Sequence, residues 1–281
     1  MKKIIKGIGL ITLIIFTFFY TDKVLKVVRE EDSIMMKIND IKDKLTIEPT
    51  DAIIIEDTII PGLNGKKVNI DKSYKKIKNY GNFNKNNIIY DIIYPNISIT
   101  NNKDKYIIQG NMKKNTISII FILDNDKYLN ELQNIINGKD IKANYFIDYS
   151  YLINNTTKIK EMSTHELYSY GDEGEYTPDN LLFSNNLISR IGNNEANICL
   201  SINNNKVINL CNKNNLYTIK PTIIIKKSPY ITIKKNLFNG SIILFYINND
   251  LTKELKLIID YINSKGLKIV GLSELLSEDI D

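Results

Sequence analysis

One histidine, two cysteines and no tryptophan stand in a chain of 281 residues. The single histidine, His165, lacks the companion ligands that a histidine-based metal centre draws on. Arginine clusters are missing too, and no basic helix carries interleaved aromatics. The net charge of +5 is modest and spread out, so nucleic acid is not an expected partner. Glycine is scarce at 13 residues, while Asn, Ile and Lys dominate. That bias reads as AT-rich codon usage, which makes Asn a poor turn marker and Lys a poor functional marker.

What is present begins at the N-terminus. Lys2, Lys3 and Lys6 precede the run GIGLITLIIFTFFY. With Ile4 and Ile5 the apolar stretch is about 17 residues, the short end of a membrane span. It ends in Phe18, Phe19 and Tyr20, without an A-x-A-like cleavage site and without a lipobox cysteine. Residues 1–22 are therefore expected to be an uncleaved, single-pass signal anchor in the cell membrane. The leading lysines would stay inside and the bulk of the chain outside. An extracytoplasmic location permits a disulfide. Cys199 and Cys211 are the right number for one bridge, with two buried free thiols as the alternative.

Residues 23–48 carry Val24, Val27, Ile34, Ile38, Ile41 and Leu45 at spacings of three and four. This stripe predicts a helical stalk open to self-association, or else a helix packed on its own domain. Residues 49–112 alternate short strand-like runs with turn signals such as PGLNG, with one helix around Asp71–Tyr80. They read as a small β-rich module without catalytic residues. From residue 113 to 281, apolar non-alternating strands (NTISIIFIL, IKANYFID, NICLSI, GSIILFYI, LKIVGL) alternate with amphipathic helices. The clearest helix is DLTKELKLIIDYINSKG. That order predicts an α/β domain around a parallel sheet or barrel. Its chemistry would sit at the C-terminal ends of the strands.

KANYFID, then STHELYSYGDEG, and later GSIILFYINN followed by KGLKIVGLSELL resemble the polysaccharide deacetylase (NodB homology) family over roughly residues 113–278. The resemblance implies an irregular (β/α) barrel. It also implies removal of acetyl groups from acetylated sugars, with a divalent metal held by one Asp and two His, a second Asp as base and a late His as acid. Carried onto this chain, the paired-Asp motif falls on Ile122 and Leu123, after Phe121. A shifted alignment offers Asp124 and Asp126 instead. His165 matches the framework histidine of the second motif, and the metal-ligand positions fall on Tyr170 and Gly174. An Arg-Pro pair becomes Lys220-Pro221, which keeps the charge but loses the guanidinium fork. The acid position is Tyr246.

Neither Ile122 nor Leu123 can bind metal or take a proton, and glycine offers no side chain. No cofactor is therefore expected, and His165 is expected in a framework role, hydrogen-bonded near a strand start. A rebuilt site from His165, Asp124, Asp126 and Asp172 is the competing reading, since carboxylates hold hard cations. The expected function is a degenerate deacetylase-like protein binding cell-wall glycan or a surface partner. Tyr170 and Tyr246 would stack on sugar rings, or simply plug a redundant cleft. Asp124, Asp126 and His165 complete the candidate ligand-binding set. The alternatives are an active carbohydrate deacetylase with a remodelled site and a structural interaction protein.

Overall fold

The computed structural model describes residues 29–202 and 206–280, together with 11, 13–17 and 19–21. Most of the expected anchor and residues 23–28 of the expected stalk lie outside the described residues. Among the described residues no helix is long and apolar enough to cross a membrane.

The strands are β1 (Ile53–Ile55), β2 (Thr58–Ile60), β3 (Gly65–Val68), β4 (Tyr90–Ile93), β5 (Tyr106–Ile107), β6 (Thr116–Leu123), β7 (Asn144–Asp148), β8 (Glu166–Gly171), β9 (Ile198–Leu200), β10 (Tyr217–Ile219), β11 (Ile223–Ile225), β12 (Ile242–Tyr246) and β13 (Lys268–Ile269). They fall into two compact units. Among the described residues, one comprises those up to 49 together with 64–94, the other 50–63 and those from 95 on.

In the first unit, helix Ser33–Leu45 starts at Asp32, whose carboxylate accepts from Ile34 N at 2.8 Å. It packs against helix Ile70–Tyr80, which is capped by Asn69 and stopped by Gly81 in the left-handed region. The antiparallel pair β3–β4 completes the unit. Ile34 and Ile38 bury against Val68, Ile77 and Ile88. The stripe read as a stalk is thus spent inside the chain's own unit, because a second amphipathic helix covers it.

The second unit departs from the boundary expected at residue 112. β2 and β5 join the later strands β10 and β9 in one five-stranded sheet, ordered β1-β2-β5-β10-β9. The second sheet runs β11-β12-β6-β7-β8, with β13 also on β6, and every pairing in it is parallel. All eight residues of β6 are buried. Ile117, Ile119, Phe121 and Leu123 face the helices, while Ile120 and Ile122 face an inner core. That two-sided burial is why the strand reads as an uninterrupted apolar run.

Both sheets contribute to the inner core: Ile59, Ile107, Leu200 and Ile219 from one, Ile120, Phe146, Tyr168 and Leu244 from the other. The result is an irregular barrel, parallel except for the antiparallel β1–β2 edge. The seam between β8 and β9 is tied by Tyr176, which donates to Ser169 O at 2.7 Å and accepts from Leu200 N at 3.1 Å. Outside, helix Asn249–Ser264 buries Leu251, Leu255, Ile258, Ile259 and Ile262. Each such side chain stabilises by about 1.5–3 kcal/mol relative to exposure. Cys199, on β9, is bonded to Cys211, on helix Val207–Lys213, with a Cα–Cα separation of 6.4 Å.

Candidate functional site

Parallel strands bring their C-terminal ends to one mouth, and a cleft of about 520 Å³ opens there. It is lined by Ile122 from β6, Asp124 and Asn125 just beyond it, Asp148 at the end of β7, and Ser150. Tyr170 from β8, Asp172 and Glu173 from the following loop, and Tyr246 from β12 complete it. Tyr170, Glu173 and Tyr246 also border a smaller recess of about 160 Å³ with Gly174 and Ile202.

The loop after β8 is held tightly. Asp172 and Glu175 exchange backbone hydrogen bonds at 3.0 and 2.8 Å. Gly171 has φ +79°, and a Cβ there would lie 2.5 Å from Glu175 O, so only glycine fits. Asp148 caps helix Tyr149–Asn154 through Ser150 N at 3.0 Å and Tyr151 N at 3.3 Å. Its other oxygen accepts from Glu173 N at 2.7 Å, which fixes the loop to β7. Asp172 accepts from the Ser150 hydroxyl at 2.9 Å.

Tyr170 borders both the cleft and the recess. Burial, and then the neighbouring Tyr246, Asp124 and Asp148, push its phenol up to about 12. Burial also raises the Tyr246 phenol. Both rings stay neutral across the ordinary pH range, as hydrogen-bonding and stacking groups.

Of the residues expected at the site, Ile122, Asp124, Tyr170, Asp172 and Tyr246 come together in the cleft, with Gly174 beside it. Leu123 does not, since its side chain points the other way into the outer core. Lys220 is exposed, with Nζ 5.7 Å from the Tyr106 ring, and lies outside the cleft lining. Asp126 also lies outside. It accepts from the Tyr151 hydroxyl and pairs with Lys158 at 2.9 Å, and those two partners hold its carboxyl below the usual range.

His165 precedes β8, so the length of the strand separates it from Tyr170. It borders a different groove with Asp140 and Lys142. Its ring lies 5.6 Å from that of Tyr145, and its Nδ1 has no hydrogen-bond partner among the described residues. The placement near a strand start stands; the hydrogen bond expected there is not found at Nδ1. Burial, and then the charge of Lys142, lower the His165 pKa. Distance therefore rules out a rebuilt site combining His165 with Asp124 and Asp172. Asn125, Asp148, Ser150 and Glu173 are the mouth residues that sequence reasoning missed. The position of Asp148 at the end of a buried parallel strand was the available signal.

The residues present do not fit the divalent metal that the resemblance implies. Among the described residues no three His, Cys, Asp or Glu side chains are grouped to hold an ion. At one ligand position, Gly174 has φ +87°, and a Cβ there would come within 2.9 Å of the Tyr170 hydroxyl. The tyrosine at the other ligand position thus fills the space a side chain at 174 would need.

A parallel α/β barrel with a cleft at its strand ends defines the class. Comparison with known proteins gives the family whose fold this is. The chain matches wild-type BA3943, a CE4 family pseudoenzyme from Bacillus anthracis, with TM-score 0.65 and 19% identity over 89% of this chain and 97% of that one. A mutant of BA3943 described as having restored enzymatic activity matches with TM-score 0.67, again at 19% identity, over 89% of this chain and 100% of that one. PdaA of Bacillus subtilis, a family 4 carbohydrate esterase, matches with TM-score 0.52 and 16% identity over 60% of this chain and 84% of that one. Among curated proteins, the uncharacterized protein YlxY of Bacillus subtilis (strain 168) is 24% identical over 243 residues, 78% of this chain and 75% of that protein. No family model matches the sequence. The fold is the NodB-type fold of the CE4 polysaccharide deacetylases, in a divergent sequence.

Proposed function

We propose that the protein is a membrane-anchored, extracytoplasmic deacetylase-like pseudoenzyme that binds cell-wall glycan. The observation that carries this reading is the mouth itself. It is an open cleft lined by Ile122, Tyr170 and Tyr246, the positions to which the resemblance assigns a carboxylate, a metal ligand and an acid. A neutral tyrosine is a poor zinc ligand. Two tyrosines beside Ile122, in a cleft otherwise lined by carboxylates, Asn125 and Ser150, are instead suited to stack on and hydrogen-bond a sugar. The BA3943 fold match is to a protein described as a pseudoenzyme, which fits the same reading. Support for the anchor is the lysine-first apolar run of residues 2–20.

Co-sedimentation with purified peptidoglycan tests the binding half. The intact chain is expected to pellet with the wall material, and Tyr170→Ala with Tyr246→Ala to stay in the supernatant. Equal recovery of both in the supernatant would overturn it. A second reading, an active hydrolase rebuilt around Asp124 and Asp172, is favoured by the carboxylates that do face the cleft. Acetate release separates the two.

A further inference from the structure

We infer that the cleft at the barrel mouth selects a glycan unit carrying a free amine, an N-deacetylated amino sugar, over its acetylated form. This inference rests on the glycan-binding reading and names the ligand within it.

The cleft, at about 520 Å³, is of the size that takes a small organic ligand. Its composition sets the ligand's charge. Asp124, Asp148, Asp172 and Glu173 all border it, and among the described residues no ion pair joins any of them to a lysine or arginine. Their hydrogen bonds come from neutral groups: Ser150 N, Tyr151 N and Glu173 N on Asp148, the Ser150 hydroxyl on Asp172, and Asn125 Nδ2 on Asp124. The chain as a whole is positive, at +5, so this concavity runs against the molecule's overall charge. Lys226, beside Tyr246, has its Nζ 5.6 Å over that ring rather than on a carboxylate.

Uncompensated carboxylates in a cleft focus a negative potential inside it. The four do not converge on one ion, because no three of them are grouped as a metal site. Dispersed charges suit a ligand that brings a cation and hydroxyl groups on one rigid frame. An acetamide is neutral. Seating it would strip water from the carboxylates and return no charge. An ammonium returns the charge through charge-assisted hydrogen bonds. The apolar face of the sugar ring then has Tyr246 and Tyr170 to lie against.

The test compares glucosamine tetramer with N-acetylglucosamine tetramer, binding each to the full chain in mild detergent by calorimetry, at low and high salt. The glucosamine tetramer is expected to bind about tenfold tighter or more, the size of a single ion-pair contribution. Raising the salt should shrink that advantage, and Asp124→Asn with Asp172→Asn should abolish it. Should that variant misfold, Glu173→Gln, on an exposed loop position, reads the same loss to a smaller extent. Equal or tighter binding of the acetylated tetramer overturns this inference and leaves the glycan reading standing. Binding of neither tetramer overturns both. Stoichiometric binding of calcium, magnesium or zinc alone, competing with the glucosamine tetramer, overturns it in favour of a cation site.

Discussion

Replacing Glu166 should remove a large part of the barrel's stability. This carboxylate is fully buried at the start of β8. It accepts from the Tyr168 hydroxyl at 2.7 Å, from Ser273 N at 2.9 Å and from the Ser273 hydroxyl, and it pairs with Lys142 at 3.2 Å. It thereby ties β8 to helix Leu272–Leu276, which closes the N-terminal end of the barrel. Glu166→Ala leaves three donors without their acceptor at a buried position. The expected loss is about 3–5 kcal/mol, the usual cost of breaking a buried, hydrogen-bonded pair.

Gly271 supplies the control. A Cβ at 271 would lie 2.1 Å from Glu166 Oε1, so Gly271→Ala is strained only while Glu166 is present. In the Glu166→Ala background the same change should cost far less, and a double-mutant cycle should show coupling of roughly 1–3 kcal/mol. The pH dependence carries the same signature. Burial raises the Glu166 pKa, but hydrogen bonds from Ser273 and Tyr168 and the charge of Lys142 outweigh it, and the net shift is downward. A carboxylate with a lowered folded pKa stabilises the fold above its unfolded pKa, about 4.3. That contribution is lost as pH falls through the folded value. Urea unfolding of the detergent-solubilised chain, from pH 3 to 7, reads both effects. A Glu166→Ala loss below about 1 kcal/mol at pH 7, or purely additive behaviour with Gly271→Ala, would refute the reasoning.

Three further outcomes are expected. Ile258→Ala, at a fully buried position on helix Asn249–Ser264, should cost about 2–5 kcal/mol in the same unfolding assay. Alkylation of unreduced protein followed by mass measurement should label neither Cys199 nor Cys211, and Cys199→Ser with Cys211→Ser should lose about 3 kcal/mol, the loop-closure contribution for a loop of this length. Tyr170→Phe should remove one late step from the ultraviolet phenolate titration. The Tyr170 phenol is pushed up to about 12, so its contribution holds below pH ~10 and is lost as pH rises through the folded value.

The strands and helices with strong periodicity were legible in the sequence. β6 is buried on both faces and reads as TISIIFIL. Helix Asn249–Ser264 carries its stripe at helical spacing. Helices Pro229–Asn236 and Leu272–Leu276 were not read, because at eight and five residues each offers too few positions for a pattern. β2 pairs with β5 and β5 with β10, placing Ile59, Ile107 and Ile219 side by side, an arrangement that no local pattern encodes. For the same reason the boundary drawn at 112 cut through a sheet.

At the site, the resemblance located Ile122, Tyr170, Gly174 and Tyr246 because each aligns with a motif position. It could not say that Asp124 turns into the cleft while Asp126, two residues on, turns to Lys158. Asp148 and Glu173 went unread because one ends a strand and the other sits in an acidic turn, and neither belongs to a motif. Their role appears only when parallel strands bring those ends together.

Acetate release by the purified chain, on N-acetylglucosamine oligomers, acetylated xylan and peptidoglycan with added zinc, cobalt or manganese, tests the central claim most directly. If Ile122, Tyr170, Gly174 and Tyr246 stand where the resemblance puts a carboxylate, the ligands and the acid, no metal-dependent release above the uncatalysed rate is expected. General acid and base groups contribute typically about 10²–10⁴-fold each, and among the described residues no three His, Cys, Asp or Glu side chains are grouped to hold a metal for such a pair to work beside. Metal-dependent acetate release that disappears in Asp124→Ala would contradict the account and show that the carboxylates of the cleft form a working site.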